Sequence, residues 1–247
     1  NFETHFGKAF PLKVPAANFV GQLQNGMARG QFNVKLSNTD AAIGAVPWKT
    51  GPANMNLHWL TSQSIQMEIQ APDGNIGAMP ISHVESSMTL DPSTRLEIND
   101  LKFNSVPGGS ADLKGRVEFS KDQPGYKVNL AGAGMPLEPL LRTWNPDLSS
   151  RWKGQVDLKA SLASQGFEYE NLSGSGNFKV LNMDMQGGSA KGVMSRLKLG
   201  DVSSASGQFM MRKGAIHLTQ GKLEFPKSTV GIQGQIGPKE SLDLILS

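Results

Sequence analysis

The sequence has no cysteine. That single absence removes disulfides, zinc–thiolate sites, iron–sulfur clusters and thiol nucleophiles together, and leaves the compartment open. Aromatic residues are few, at 7%, and charged residues make up only 18%. Twenty-four basic residues against twenty-one acidic ones give a net charge of +3, scattered singly with no block of five like charges. Nucleic-acid binders gather their cations into a patch or stripe, so no nucleic-acid partner is expected. No stretch approaches the ~20 apolar residues needed to cross a bilayer. The chain opens at NFETHFGKAF, with neither an initiator methionine nor a signal-peptide pattern, and the expectation is a piece of a longer protein. Long helical periodicity is missing too.

What is present is a repeated phrase. RWKGQVDLKASLAS (residues 151–164) has a twin in DLKGRVEFSKD and looser relatives in ARGQFNVKLS, SGSGNFKVLN and ASGQFMMRKG. Each sets a glycine before a run in which apolar and polar residues alternate. The phrases turn on Gly30, Gly115, Gly154, Gly176, Gly207 and Gly234, at irregular spacings, which argues against a solenoid of fixed period. Glycine inside a strand marks a bulge, a bend or the close approach of another group.

Alternation with a period of two is the signature of a strand with one wet and one dry face, and it runs through most of the 247 residues. Met55, Leu57 and Trp59 share a side, as do Ile65, Met67 and Ile69; Val84, Met88 and Leu90; and Leu96 and Ile98. Tyr126, Val128 and Leu130 follow, then Trp152, Val156, Leu158 and Leu162. The separators APDGN, DPST, VPGG, DQPG, QGGS, RKG and GPKE are turn chemistry. RKGAIHL and TQGKLEF read as tight hairpin joints. Helix is expected only in GMPLEPLLRTWNPD and SAKGVMSRLKLG. Pro136, Pro139 and Pro146 interrupt the pattern near residues 135–150, but the same alternation on both sides favours one elongated β-domain over residues 1–247. The expected fold is all-β: a long, mostly antiparallel twisted sheet curled into a groove or flattened barrel, with one or two short helices.

The dry face of such a sheet must be covered. Each exposed Leu or Val forgoes ~1.5–3 kcal/mol of burial, and there is too little helix to lie across it. A second sheet, closure into a barrel, or an apolar ligand remain. A lining poor in aromatics and mixed with glycine and alanine leaves room for a ligand. The candidate lining is Val117, Phe119, Val128, Leu130, Val156, Leu158, Leu162, Phe178, Val180, Ile216, Leu218, Val230, Ile232 and Ile236. Eleven methionines, Met55, Met67 and Met88 among them, add adaptable apolar surface.

Sites for chemistry are not evident. His5, His58, His83 and His217 lack partners at metal-ligand spacing, and His58 and His217 fall on polar sides of strands. There is no G-x-S-x-G elbow and no phosphate-binding P-loop. The acid pairs Glu97/Asp100 and Glu168/Glu170 read as solvated surface, and Trp48, Trp59, Trp144 and Trp152 as packing or interfacial anchors. No catalytic residue, cofactor or metal is expected.

Two passages resemble the C-terminal region of the AsmA family of bacterial envelope proteins. One runs from GMPLEPLLRTWNPD through GQVDL to LSGSGNFKVLNMDMQGG. The other is SASGQFMMRKGAIHLTQGKLEFPKSTVGIQGQIGPKESLDLILS, with Gly214, Ile232, Gly234, Ile236, Leu242, Asp243 and Leu244 at the matching positions. The resemblance covers residues 134–247. It implies a non-enzymatic protein of the Gram-negative periplasm, held to the inner membrane by an N-terminal anchor that this chain lacks. Its apolar groove would hold or pass phospholipid or another envelope lipid, in support of outer-membrane assembly or lipid homeostasis. Type II secretion system protein N shares the architecture and implies the alternative: an envelope scaffold binding other proteins through its sheet edges. At this length only a short groove can form.

Overall fold

A computed structural model describes residues 18–23, 30–36, 39–43, 46–61, 64–91, 95–119, 124–144, 149, 152–166, 169–185, 202–236 and 242–246. The described chain is nearly all β. Its strands are β1 (Asn18–Leu23), β2 (Gly30–Leu36), β3 (Thr39–Ile43), β4 (Val46–Thr50), β5 (Ala53–Thr61), β6 (Ser64–Ile76), β7 (Met79–Asp91) and β8 (Arg95–Ser105). There follow β9 (Ser110–Glu118), β10 (Gly125–Pro136), β11 (Trp152–Gln165), β12 (Leu172–Met185), β13 (Ser204–Arg212), β14 (Ala215–Phe225), β15 (Ser228–Ile236) and β16 (Leu242–Leu246).

All sixteen belong to one sheet with the path β1-β2-β5-β6-β7 and on in sequence order to β16. Only the hairpin β3–β4 stands off the path, with β4 also pairing β6. Every pairing is antiparallel, as short connections between sequential strands require. The terminal strands do not meet: among the described residues β1 pairs β2 and β16 pairs β15. The sheet is therefore open, which corrects the flattened-barrel alternative.

The strands follow the alternation. In β11, Lys153, Gln155, Asp157, Lys159 and Ser161 are exposed, while Val156 and Ala160 are buried. Where the period of two breaks, a bulge sits. In β7 the apolar positions switch from Met79 and Ile81 to Val84, Met88 and Leu90, and the register slips at His83, whose φ is 51°. β8 slips at Asn99, between Ile98 and Leu101. β10 slips between Gly132 and Met135; Gly134 there has φ 61° and its N–H donates to Asp157 Oδ1 at 2.8 Å. Asn182 (φ 53°) marks the slip in β12, and β14 slips between Leu218 and Gly221. Each extra residue keeps the next apolar side chain on the same face, bends its strand and increases the local twist. A further slip falls in β5, between Trp59 and Thr61.

Two expected turns are not turns. APDGN lies inside β6, and the chain reverses at Gly77 and Ala78 instead. TQGKLEF lies inside β14, because its irregularity is the bulge before Gly221. RKG is the β13–β14 turn, with Lys213 and Gly214 at positive φ. QGGS, GPKE and the second expected helix, SAKGVMSRLKLG, fall outside the described residues.

One α-helix is described, α1 (Leu137–Trp144), which follows β10 directly. Pro139 is tolerated because the first turn needs no intrahelical N–H. Glu138 lies in the first turn, where the helix dipole favours an anion, and accepts from Arg142 at 2.5 Å. Leu137, Leu140 and Leu141 turn to the core, and the helix touches both β7 and β11. The deepest side chains, Ile81, Val84 and Met135, belong to this end of the sheet.

Candidate functional site: the apolar face of the sheet

Register carries one apolar face across the sheet. Reading strand to strand from β5 to β15, one row is Met55, Ile69, Ser86, Leu101, Leu113, Leu130, Ala160, Gly176, Phe209, Leu218 and Gly234. Val34 extends it onto β2 opposite Met55. A parallel row runs Leu57, Met67, Met88, Ile98, Gly115, Val128, Leu162 and Gly174. Val34, Met55, Ile69, Leu101, Leu113 and Leu130 of the first row and Leu57 and Ile98 of the second belong to a single cluster reaching from Val34 to Ile232.

Glycines, among them Gly115, Gly176 and Gly207 of the repeated phrase, form part of the floor of this face. A Cβ on Gly176 would stand 2.6 Å from Phe209 Cζ; on Gly174, 2.8 Å from Leu162 Cδ2; on Gly115, 2.9 Å from Val128 Cγ1. Gly207 meets Phe178 and Gly221 meets Ile232 in the same way. Large side chains lie down over missing ones, so the face is coated with hydrocarbon.

Cover is uneven. In the row Met135, Val156, Val180, Ala205 and Leu223, every residue is buried, and this is the end that α1 closes. In the row from Leu57 to Gly174, every residue is only half-buried. Among the described residues no second sheet lies over that half. Tyr126, opposite Val117 on β9 and Ser164 on β11, stands at its margin. Burial pushes the Tyr126 phenol pKa up, opposed by the neighbouring Ser164 hydroxyl.

Of the candidate lining, Val117, Val156, Val180 and Ile232 are buried. Val128, Leu130, Leu158, Leu162, Phe178, Ile216, Leu218 and Val230 are half-buried on the same face. Phe119 follows the last residue of β9 and is half-buried; the Ile236 side chain lies outside the described part. The candidate list omits Phe209 and Met211, which QFMMR presents at alternate positions with Met210 masking the period between them. It also omits the upstream half, Met55 to Leu101, which register joins to the rest.

The opposite face is polar and carries the charges. Lys102 Nζ lies 2.7 Å from Asp100 Oδ2 and Lys114 Nζ lies 3.9 Å from its Oδ1. The hydrogen bond from Lys102 holds the Asp100 carboxyl below its usual range, and the same bond raises the lysine. His217 lies on this side, opposite Met210 and Gln235, and His58 opposite Gln66. Among the described residues no three His, Asp or Glu side chains gather as metal ligands, and no helix is long and apolar enough to cross a membrane.

No family model, curated protein or solved structure matches the chain.

Proposed function

We propose that this chain is a non-enzymatic, AsmA-like part of a periplasmic envelope protein anchored to the inner membrane, and that its apolar face holds or transfers phospholipid acyl chains. One observation carries the reading: the face is continuous from β2 to β15, floored by glycines, and half-exposed away from α1. Leaving that much Leu, Ile, Val and Met half-wet costs on the order of 1 kcal/mol per residue. Acyl chains offset this cost without any directional contact, so the surface does the work and no residue performs chemistry.

The test is native mass spectrometry of the purified protein, with organic extraction of whatever it carries. Phospholipid is expected in the extract, and Leu130→Asp/Leu158→Asp should remove it while the strand content stays intact. A protein that is free of lipid and takes none from vesicles overturns the reading.

The second reading is an envelope or secretion scaffold that binds proteins by strand addition. Its support is β16, which pairs with β15 alone among the described residues and carries Ile245 at 68% exposure. Recovery from membranes with secretion subunits and without lipid would decide for it.

A further inference from the structure

The polar face has a depression whose rim is Asp112, Lys114, Asn129, Ala131, Lys159 and Ser161, with Leu130 and Ala160 between them. Register explains the hollow. Asn129 faces Lys114 on β9 and Ser161 on β11, while Ala131, with only a methyl group, separates Asp112 from Lys159. Two residues along β10, on the same side, is Lys127. Two lysines, Lys114 and Lys159, thus line the hollow with one amide and one hydroxyl, and a third lies next along β10.

These cations are poorly neutralised. Lys127 faces Ala163 on one side and Arg116 on the other, and like charges directly opposite one another are destabilising. Arg116 already pairs with Glu118 at 3.4 Å. Lys159 faces Ala131 and Asn177. The carboxylate two residues along its strand, Asp157, accepts from the Gly134 N–H in the β10 bulge. Lys114 reaches Asp100 only at 3.9 Å, and that carboxylate is taken more closely by Lys102. Asp112 faces Lys102 across the β8–β9 ladder and acts on that lysine. The group that completes such a set is a compact oxyanion, which accepts from ammonium, amide and hydroxyl donors at once.

We infer that this depression on the polar face is an anion site for a phosphate group, held by Lys114, Lys127 and Lys159 with Asn129 and Ser161 as neutral donors. It lies on the side of the sheet opposite the apolar face, so the two sites are independent. A phosphate can reach it as a free solute or on a phospholipid headgroup at a membrane surface, and the same donors serve both.

Two measurements separate the sources. Inorganic phosphate is titrated into the full chain at low salt, followed by amide chemical shifts, and the protein is floated with vesicles of phosphatidylcholine alone or with added phosphatidylglycerol. The variant is Lys114→Gln/Lys127→Gln/Lys159→Gln; the control is Lys222→Gln, an exposed lysine on β14. Saturable phosphate shifts at Asn129 and Ser161, weakened roughly tenfold in the triple variant and unchanged in the control, establish the site. Flotation that requires phosphatidylglycerol and is lost in the triple variant alone identifies the headgroup as the source; phosphate binding without flotation identifies a solute. All four positions are exposed, so circular dichroism should match across the proteins. The inference is overturned if neither probe binds, if the triple variant binds like the parent, or if the control loses as much.

Discussion

Phe209 lies across Gly176, its direct partner in the β12–β13 ladder, so closely that a methyl group on the glycine would stand 2.6 Å from the ring. The pair shows how the sheet carries large apolar groups on its dry side. A strand whose neighbour has no Cβ can rest its ring on bare backbone.

Gly176→Ala should therefore be destabilising by ~1–3 kcal/mol, as expected for overpacking against groups that cannot move aside. The added carbon meets the backbone oxygen of Lys159 as well as the ring. Gly108→Ala is the comparison, because nothing lies within 4 Å of a Cβ there, and its effect should stay within about 0.5 kcal/mol. Urea unfolding midpoints measure both; equal effects would count against the glycine floor.

The closed and open ends of the apolar face should respond differently to truncation. Met135 is 1% exposed beneath α1, and Met135→Ala should cost ~2–5 kcal/mol, the range for buried large-to-small changes. Leu130, half-buried on the open part, should cost about half of that or less, because part of its surface is already wet. The gap should narrow in the presence of bound phospholipid, which covers Leu130 and leaves Met135 as it was. Thermal unfolding with and without lipid reads the difference.

Acid and alkali should destabilise the fold through two identified groups. The Asp100 carboxyl is held below its usual 3.8 by Lys102, so the folded form binds its proton less readily than the unfolded chain does. Its contribution is present above the ordinary carboxylate range and is lost as pH falls through the folded value. Tyr126 is the reverse: burial raises its phenol above 10.0, so stability falls as pH climbs from there. Asp100→Asn should flatten the acid limb of a stability–pH curve, weakly and less so in high salt, since the pair is at the surface. The chain has two tyrosines. In Tyr169→Phe the ultraviolet titration of Tyr126 alone should show a midpoint above 10.0; a midpoint at or below that value sinks the assignment.

The strands were legible because a one-sided sheet writes its burial into alternate residues. Lys153 to Leu162 displays the wet and dry sides of β11 without any need of coordinates. Turn chemistry was a weaker guide. APDGN has every mark of a reversal and runs straight through β6, because register with β7 at Asp73, Gly74 and Asn75 holds it extended. TQGKLEF resembles a hairpin and is a bulge, because Gly221 is needed beneath Ile232. A glycine that serves close packing and one that serves a turn are the same letter.

The sequence by itself determined the class of structure and the identity of the dry face, since a period of two and the scarcity of helix permit little else. It contained the parity breaks at Ile81/Val84, Ile98/Leu101 and Leu218/Gly221, which the bulges absorb. Only the tertiary structure decided that the sheet stays open, that α1 closes one end, and which glycine lies under which ring. It also brought Lys114, Lys127 and Lys159 around Asn129 from three separate strands. Those relations are set between strands, by register, and a linear pattern records only what happens along one strand at a time.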